Sequence, residues 1–285
     1  MTLFNDPVAI EFRDLAAAAF AGRDPRDSDE ILTGLIEAEC LSLELSTDLN
    51  GMGLGLTPSV EIFAAIGLTG ADVTAAERAF ASLDALGEHG DDEALEWSER
   101  VLAGSTELIQ VSNGWQLQEC GNSFALSVGP QWSSRRAIRR ASYLIGLADC
   151  CYQEMVSHTH RRQIAGAGLF SKQLVADKVV RILAEIRLAS SACREAALAA
   201  DAGAENRVAA ALRAHRLAIF AAQKASRSLV QLRGARGMTA HSTSGQLYKL
   251  SHQHSGTEDL GCSFSEPRLE QQPLPLAVAD SGIQH

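Results

Sequence analysis

The sequence predicts a mainly all-α protein. A helical cluster is expected over 1–103, a vestigial β segment over 104–132, an antiparallel helical bundle over 133–262 and a mobile tail over 263–285. Three observations lead to this reading. Ala and Leu abound while aromatics are only 5%, and Ala and Leu favour helices whereas strands favour β-branched and aromatic side chains. Beyond Ser133, long apolar patterns at helical spacing alternate with short breaks, as in helices packed antiparallel. One stretch alone alternates instead, around Asn113-Gly114, a strong hairpin turn.

The elements follow in order. A first helix spans 6–21 and ends near Gly22. Asp27 or Ser28 caps a second, whose Ile31, Leu32, Leu35 and Ile36 recur at helical spacing. After the glycine-rich break over 50–55, Thr57 and Pro58 open a third, as cap and first-position proline. Asp72 or Thr74 starts a fourth, and the acidic run from Asp91 to Glu93 starts a fifth. Ile109 and Val111 precede the hairpin turn, Trp115 and Leu117 follow it, and Phe124, Leu126 and Val128 supply a third short strand. Three long helices are then predicted over 133–162, 169–200 and 204–232, and a shorter one over 244–254. The tail contains Pro267, Pro273 and Pro275 and little periodicity.

With 285 residues, 46% hydrophobic and 21% charged, the chain is long and apolar enough to bury a substantial core. A net charge of -10 repels nucleic acid and anionic membrane surfaces. The first residues lack a basic stretch followed by an apolar run and are not read as a secretory signal. No apolar run approaches the ~18 residues of a membrane span. The cysteines at 40, 120, 150, 151, 193 and 262 form no CxxC pair and read as reduced thiols of a cytoplasmic protein.

Two segments carry a resemblance. The first is His160, Arg161, Arg162, Gln163, Ile164, Ala165, Gly166, with Gln173 following. The second is Gln231, Leu232, Arg233, Gly234, Ala235, Arg236, Gly237, Met238, Thr239. In order, and with a long helix pair between them, they resemble the Arg-x-Gln-Phe-Gly and Gln-x-x-Gly-Gly-x-Gly turns of the acyl-CoA dehydrogenase family. The resemblance implies FAD as cofactor, bound across a subunit interface, and an acyl-CoA or other acyl thioester ligand of lipid metabolism. It makes Arg161, Gln163, Gln231, Gly234 and Gly237 the candidate cofactor-binding residues. A guanidinium pairs well with phosphate oxygens, and glycines let the backbone approach an anion. Read without the resemblance, the two glycines end a helix and Arg161 is a solvated charge.

The sequence also departs from the family. Phe is replaced by Ile164 and the second glycine of the turn by Ala235. The family's β-barrel is reduced to a hairpin-sized segment. Its catalytic Glu follows the last bundle helix in most members, where this chain offers Glu258 in a different flanking pattern. In others it lies near the start of the first long helix, where this chain has Arg136. An Arg remains protonated and cannot abstract a proton.

Other constellations are weaker. His158 with His160, and His252 with His254, stand two apart on helices and point away from each other, so no metal site is expected. The basic run Arg135, Arg136, Arg139, Arg140 reads as a solvated face, with a small anion as the competing reading. The leading expectation is a truncated, non-catalytic partner subunit contributing to a flavin site. It would act as a homodimer, or as a hetero-oligomer with a full-length acyl-CoA dehydrogenase homologue. The alternatives are a FAD-dependent acyl thioester oxidoreductase using Glu258 as base, a scaffold doing non-redox chemistry on an acyl thioester, and a structural helical protein without ligand.

Overall fold

A computed structural model describes residues 2–4, 6–111, 114–126, 128–164, 166–239 and 241–256. Its helices are α1 (Pro7–Ala19), α2 (Ser28–Glu37), α3 (Thr57–Thr69), α4 (Thr74–His89) and α5 (Asp92–Leu102), then α6 (Pro130–Arg161), α7 (Gln173–Asp201), α8 (Arg207–Arg233) and α9 (Thr243–Gln253). Between α5 and α6 lies an antiparallel sheet of β1 (Glu107–Val111), β2 (Gly114–Glu119) and β3 (Asn122–Leu126). A two-residue pair, β4 (Gln163–Ile164) and β5 (Ala167–Gly168), follows α6. The described chain is therefore mainly helical with small sheets, as expected. The tail over 263–285 lies outside the described residues.

Local chemistry explains several helix starts. Asp6, Asp27 and Asp91 accept from Val8 N at 3.1 Å, Asp29 N at 3.0 Å and Ala94 N at 2.7 Å, each satisfying a first-turn amide. Two starts need distant partners. Thr57 is the first residue of α3 rather than its cap. Asp201, at the end of α7, accepts instead from Leu56 N at 2.9 Å and Thr57 Oγ1 at 3.4 Å. Helix α6 begins at Pro130, ahead of the expected Ser133, because Glu88 of α4 accepts from Gly129 N at 3.2 Å and Trp132 N at 3.1 Å.

One core runs through the molecule. Helix α3 is buried from Pro58 to Gly67 and packs against α6. Their crossing is close at two glycines. A Cβ on Gly67 would meet Tyr143 O at 2.2 Å, and one on Gly146 would meet Ala64 O at 2.2 Å. Helix α8 faces α6 and α7 with buried Ala211, Ala214, Ala218, Ala222 and Ala225, small side chains that permit close helix approach. In the sheet, Leu117 sits opposite Leu108 and Phe124, all three buried. The inner face of the sheet is thus spent on the core.

Candidate functional site

The C-terminal ends of α6 and α8 meet the start of α7 at one end of the bundle. His158 Nε2 lies 3.1 Å from Leu232 O, and Lys178 Nζ donates to Gln231 Oε1 at 2.9 Å. A cleft of about 450 Å³ opens there between the α6–α7 connection and the turn after α8. It brings the two motif segments together: Arg162 and Ile164 from the first, and Leu232, Arg233, Gly234 and Arg236 from the second.

Of the five residues singled out by motif, Gly234 borders this cleft. Its φ is 62°, in the left-handed region that favours glycine. A Cβ there would meet nothing within 4 Å, so its backbone is open to approach. The other four are each the chain neighbour of a lining residue but are engaged or turned elsewhere. Arg161 donates from Nε to Ser157 O at 3.2 Å, back along its own helix. Gln163 is exposed and paired in register with Gly168. The side-chain oxygen of Gln231 is taken by Lys178. Gly237 is buried, where a Cβ would lie 2.7 Å from Arg233 Cβ and 2.9 Å from Val230 O. It closes the turn tightly against α8.

The arginines that border the cleft are Arg162, Arg233 and Arg236. Arg233 forms an ion pair with Glu154. Neither Arg162 nor Arg236 forms one among the described residues. Motif matching does not find these three because the two motifs leave their positions unspecified. The density of arginines in the two segments is the signal that points to them. Glu258 lies outside the described residues.

The basic run at the start of α6 is neither a solvated face nor an open anion site. Arg139 is fully buried and donates from Nη1 to Glu44 at 2.8 and 3.0 Å, with Asp84 on Nη2. Arg135 donates from Nε to Asp84 Oδ1 at 2.8 Å and also pairs with Glu44. Arg136 and Arg140 converge on Glu77 Oε1 at 2.8 and 2.7 Å. Burial would push the Glu77 carboxyl up, but the Arg140 and Arg136 guanidinia outweigh it and hold it down at about 2. The Arg136 guanidinium also lies 4.6 Å from the Trp132 ring and 5.1 Å from Trp115, which joins the sheet to the bundle through cation–π contact. Arg136, expected at a base position from the sequence, is therefore a structural element of the core.

Nearby, His215 of α8 is fully buried, and its ring nitrogens make no well-formed hydrogen bond among the described residues. Burial, and then the Arg140 charge, push its imidazole down to about 4. It is therefore neutral at physiological pH.

Fold and cleft define a helical-bundle protein with an arginine-lined end. Residues 134–254 match the family model described as acyl-CoA dehydrogenase, C-terminal domain. Among solved structures, a putative acyl-CoA dehydrogenase from Mycobacterium smegmatis is similar with a TM-score of 0.76 at 14% identity, over 91% of this chain and 97% of that one. Butyryl-CoA dehydrogenase from Megasphaera elsdenii is similar with a TM-score of 0.75 at 12% identity, over 92% and 97%. The ChsE4-ChsE5 complex from Mycobacterium tuberculosis is similar with a TM-score of 0.68 at 15% identity, over 91% and 96%. No curated protein sequence matches significantly. Residues 134–254 thus match the C-terminal domain of the acyl-CoA dehydrogenase family, and the chain shares the fold of proteins of that family.

Proposed function

We propose that this chain is a non-catalytic partner subunit of an acyl-CoA dehydrogenase-type assembly, supplying part of the site of a FAD held mostly by another subunit. The observation that carries the reading is the cleft at which the two motif segments meet. Its guanidinia suit the phosphate portion of the cofactor, and the open backbone at Gly234 suits close approach. Arg161, Gln163, Gln231 and Gly237 support that lining from adjacent positions. The flat ring is less well served. The inner sheet face is buried in the core, and Trp115 is packed against Trp132 with ring centroids 5.5 Å apart. The fit is therefore to half of a site.

A bound flavin would supply a two-electron acceptor. The residues here would hold and orient its phosphates. Two further observations favour a partner. Ile164, Leu174 and Met238 are large apolar side chains left exposed at this end of the bundle, the last two 84% and 76% exposed, a feature of surfaces that another chain covers. One structurally similar protein is described as a two-component complex. Arg136, held by Glu77, supports the non-catalytic assignment.

The test is co-purification with a full-length acyl-CoA dehydrogenase homologue from the same organism. Arg162→Ala combined with Arg236→Ala should weaken FAD retention by the complex. Removing each charge-assisted hydrogen bond should cost roughly 1.5–3 kcal/mol. Unchanged FAD content in the double variant would contradict the reading.

A further inference from the structure

A second cleft, of about 320 Å³, is built from other residues. Arg26 comes to it from the α1–α2 connection, Asp72 from the α3–α4 connection, and His241, Lys249 and Leu250 from α9 and the turn before it. Arg26 and Lys249 are both exposed, and neither forms an ion pair among the described residues. Two cations thus stand beside one cavity in a chain with net charge -10.

The one carboxylate in the wall is already engaged. Asp72 Oδ1 accepts from Thr74 N at 2.9 Å and Thr74 Oγ1 at 2.6 Å, and lies 3.5 Å from His254 Nε2. Burial opposes ionisation of Asp72, but these partners prevail and hold its carboxyl down at about 2. Its Oδ1 is thus taken up by partners of its own. Arg26 is also positioned: with the Gln246 amide oxygen turned toward it, Nε and Nη2 reach that oxygen at 2.7 and 2.9 Å. Leu250 and Pro25 add apolar wall. The volume is at the low end for small-molecule sites, ~300–1,000 Å³.

We propose that this cleft binds a small organic phosphate monoester, its phosphate held between Arg26 and Lys249 with His241 as a further donor and its organic body against Leu250 and Pro25. A guanidinium presents a fork of donors that matches two phosphate oxygens, and an ammonium adds a point charge. A dianion balances two cations better than a monocarboxylate does. The site is separate from the arginine-lined cleft and does not depend on the flavin reading.

The test titrates the full chain with phenyl phosphate by calorimetry, with benzoate and benzyl alcohol as comparison ligands. Phenyl phosphate should bind, benzoate more weakly, and benzyl alcohol without measurable heat. Arg26→Ala with Lys249→Ala should weaken phenyl phosphate at least about tenfold without changing the far-ultraviolet circular dichroism, since both side chains are exposed. Arg181→Ala, on the surface of α7, should leave binding unchanged. Absence of binding, or loss through Arg162 and Arg236 rather than Arg26 and Lys249, would overturn the proposal. Benzoate binding as tightly as phenyl phosphate would overturn the phosphate assignment.

Discussion

Arg136 of α6 and Glu77 of α4 are joined inside the core by hydrogen bonds of 2.8 and 3.1 Å, both to Glu77 Oε1. Arg140 adds a third to the same oxygen at 2.7 Å. Two guanidinia therefore share one buried carboxylate, and removing its charge takes that partner from both. Glu77→Gln should cost roughly 3–5 kcal/mol in urea unfolding. A loss under about 1 kcal/mol would contradict this network.

Acid should unfold the protein in two windows. His215 is held at about 4 against an ordinary 6.5. The unfolded chain therefore binds a proton that the folded one refuses, and stability falls as pH drops from about 6.5 toward 4. Glu77 is held at about 2 against an ordinary 4.5, so its contribution is present above about 4.5 and is lost as pH drops toward 2. Each is worth on the order of 3 kcal/mol. In His215→Leu the upper window should flatten and the lower one remain. An unchanged slope between pH 6.5 and 4 in that variant would contradict the assignment.

Gly67 and Gly146 should tolerate no side chain. Ala ordinarily gains ~0.5–1 kcal/mol over Gly inside a helix. Here each added methyl would sit 2.2 Å from a backbone oxygen of the facing helix, and overpacking of that kind costs ~1–3 kcal/mol. The steric term should win, so Gly67→Ala and Gly146→Ala should both lower the urea midpoint. A stabilised variant would mean that α3 and α6 do not cross this closely.

Much of the fold is legible in the sequence because its signals are local. Asp6, Asp27 and Asp91 cap helices through amides two or three residues on, and the strand alternation flanks its own turn. The starts of α3 and α6 are not legible, because their caps come from Asp201, 145 residues from the amide it binds, and Glu88, 41 and 44 residues from its two. The burial of the Arg run is hidden for the same reason. Its acidic partners Glu44, Glu77 and Asp84 lie 51–95 residues away. The cleft is half legible: the sequence marks the two segments, but which arginines border it depends on how each turn is wound.

That winding gives a comparison between neighbours. Arg162 borders the cleft while Arg161 folds back onto Ser157 O. In a FAD-bearing complex, Arg162→Ala should therefore lower FAD retention more than Arg161→Ala, about tenfold if one charge-assisted hydrogen bond separates them. Equal losses, or a larger loss from Arg161→Ala, would show that the turn rearranges on assembly.

A non-catalytic partner subunit should lack a complete flavin site when it is alone. Flavin absorbance should be measured on the chain purified by itself and on the complex co-purified with a full-length homologue, each before and after addition of a straight-chain acyl-CoA. The expected result is little or no FAD in the isolated chain, stoichiometric FAD in the complex, and bleaching by acyl-CoA in the complex only. Stoichiometric FAD in the isolated chain, bleached by acyl-CoA and no longer bleached in Glu258→Gln, would contradict the partner-subunit role and make this chain an oxidoreductase in its own right.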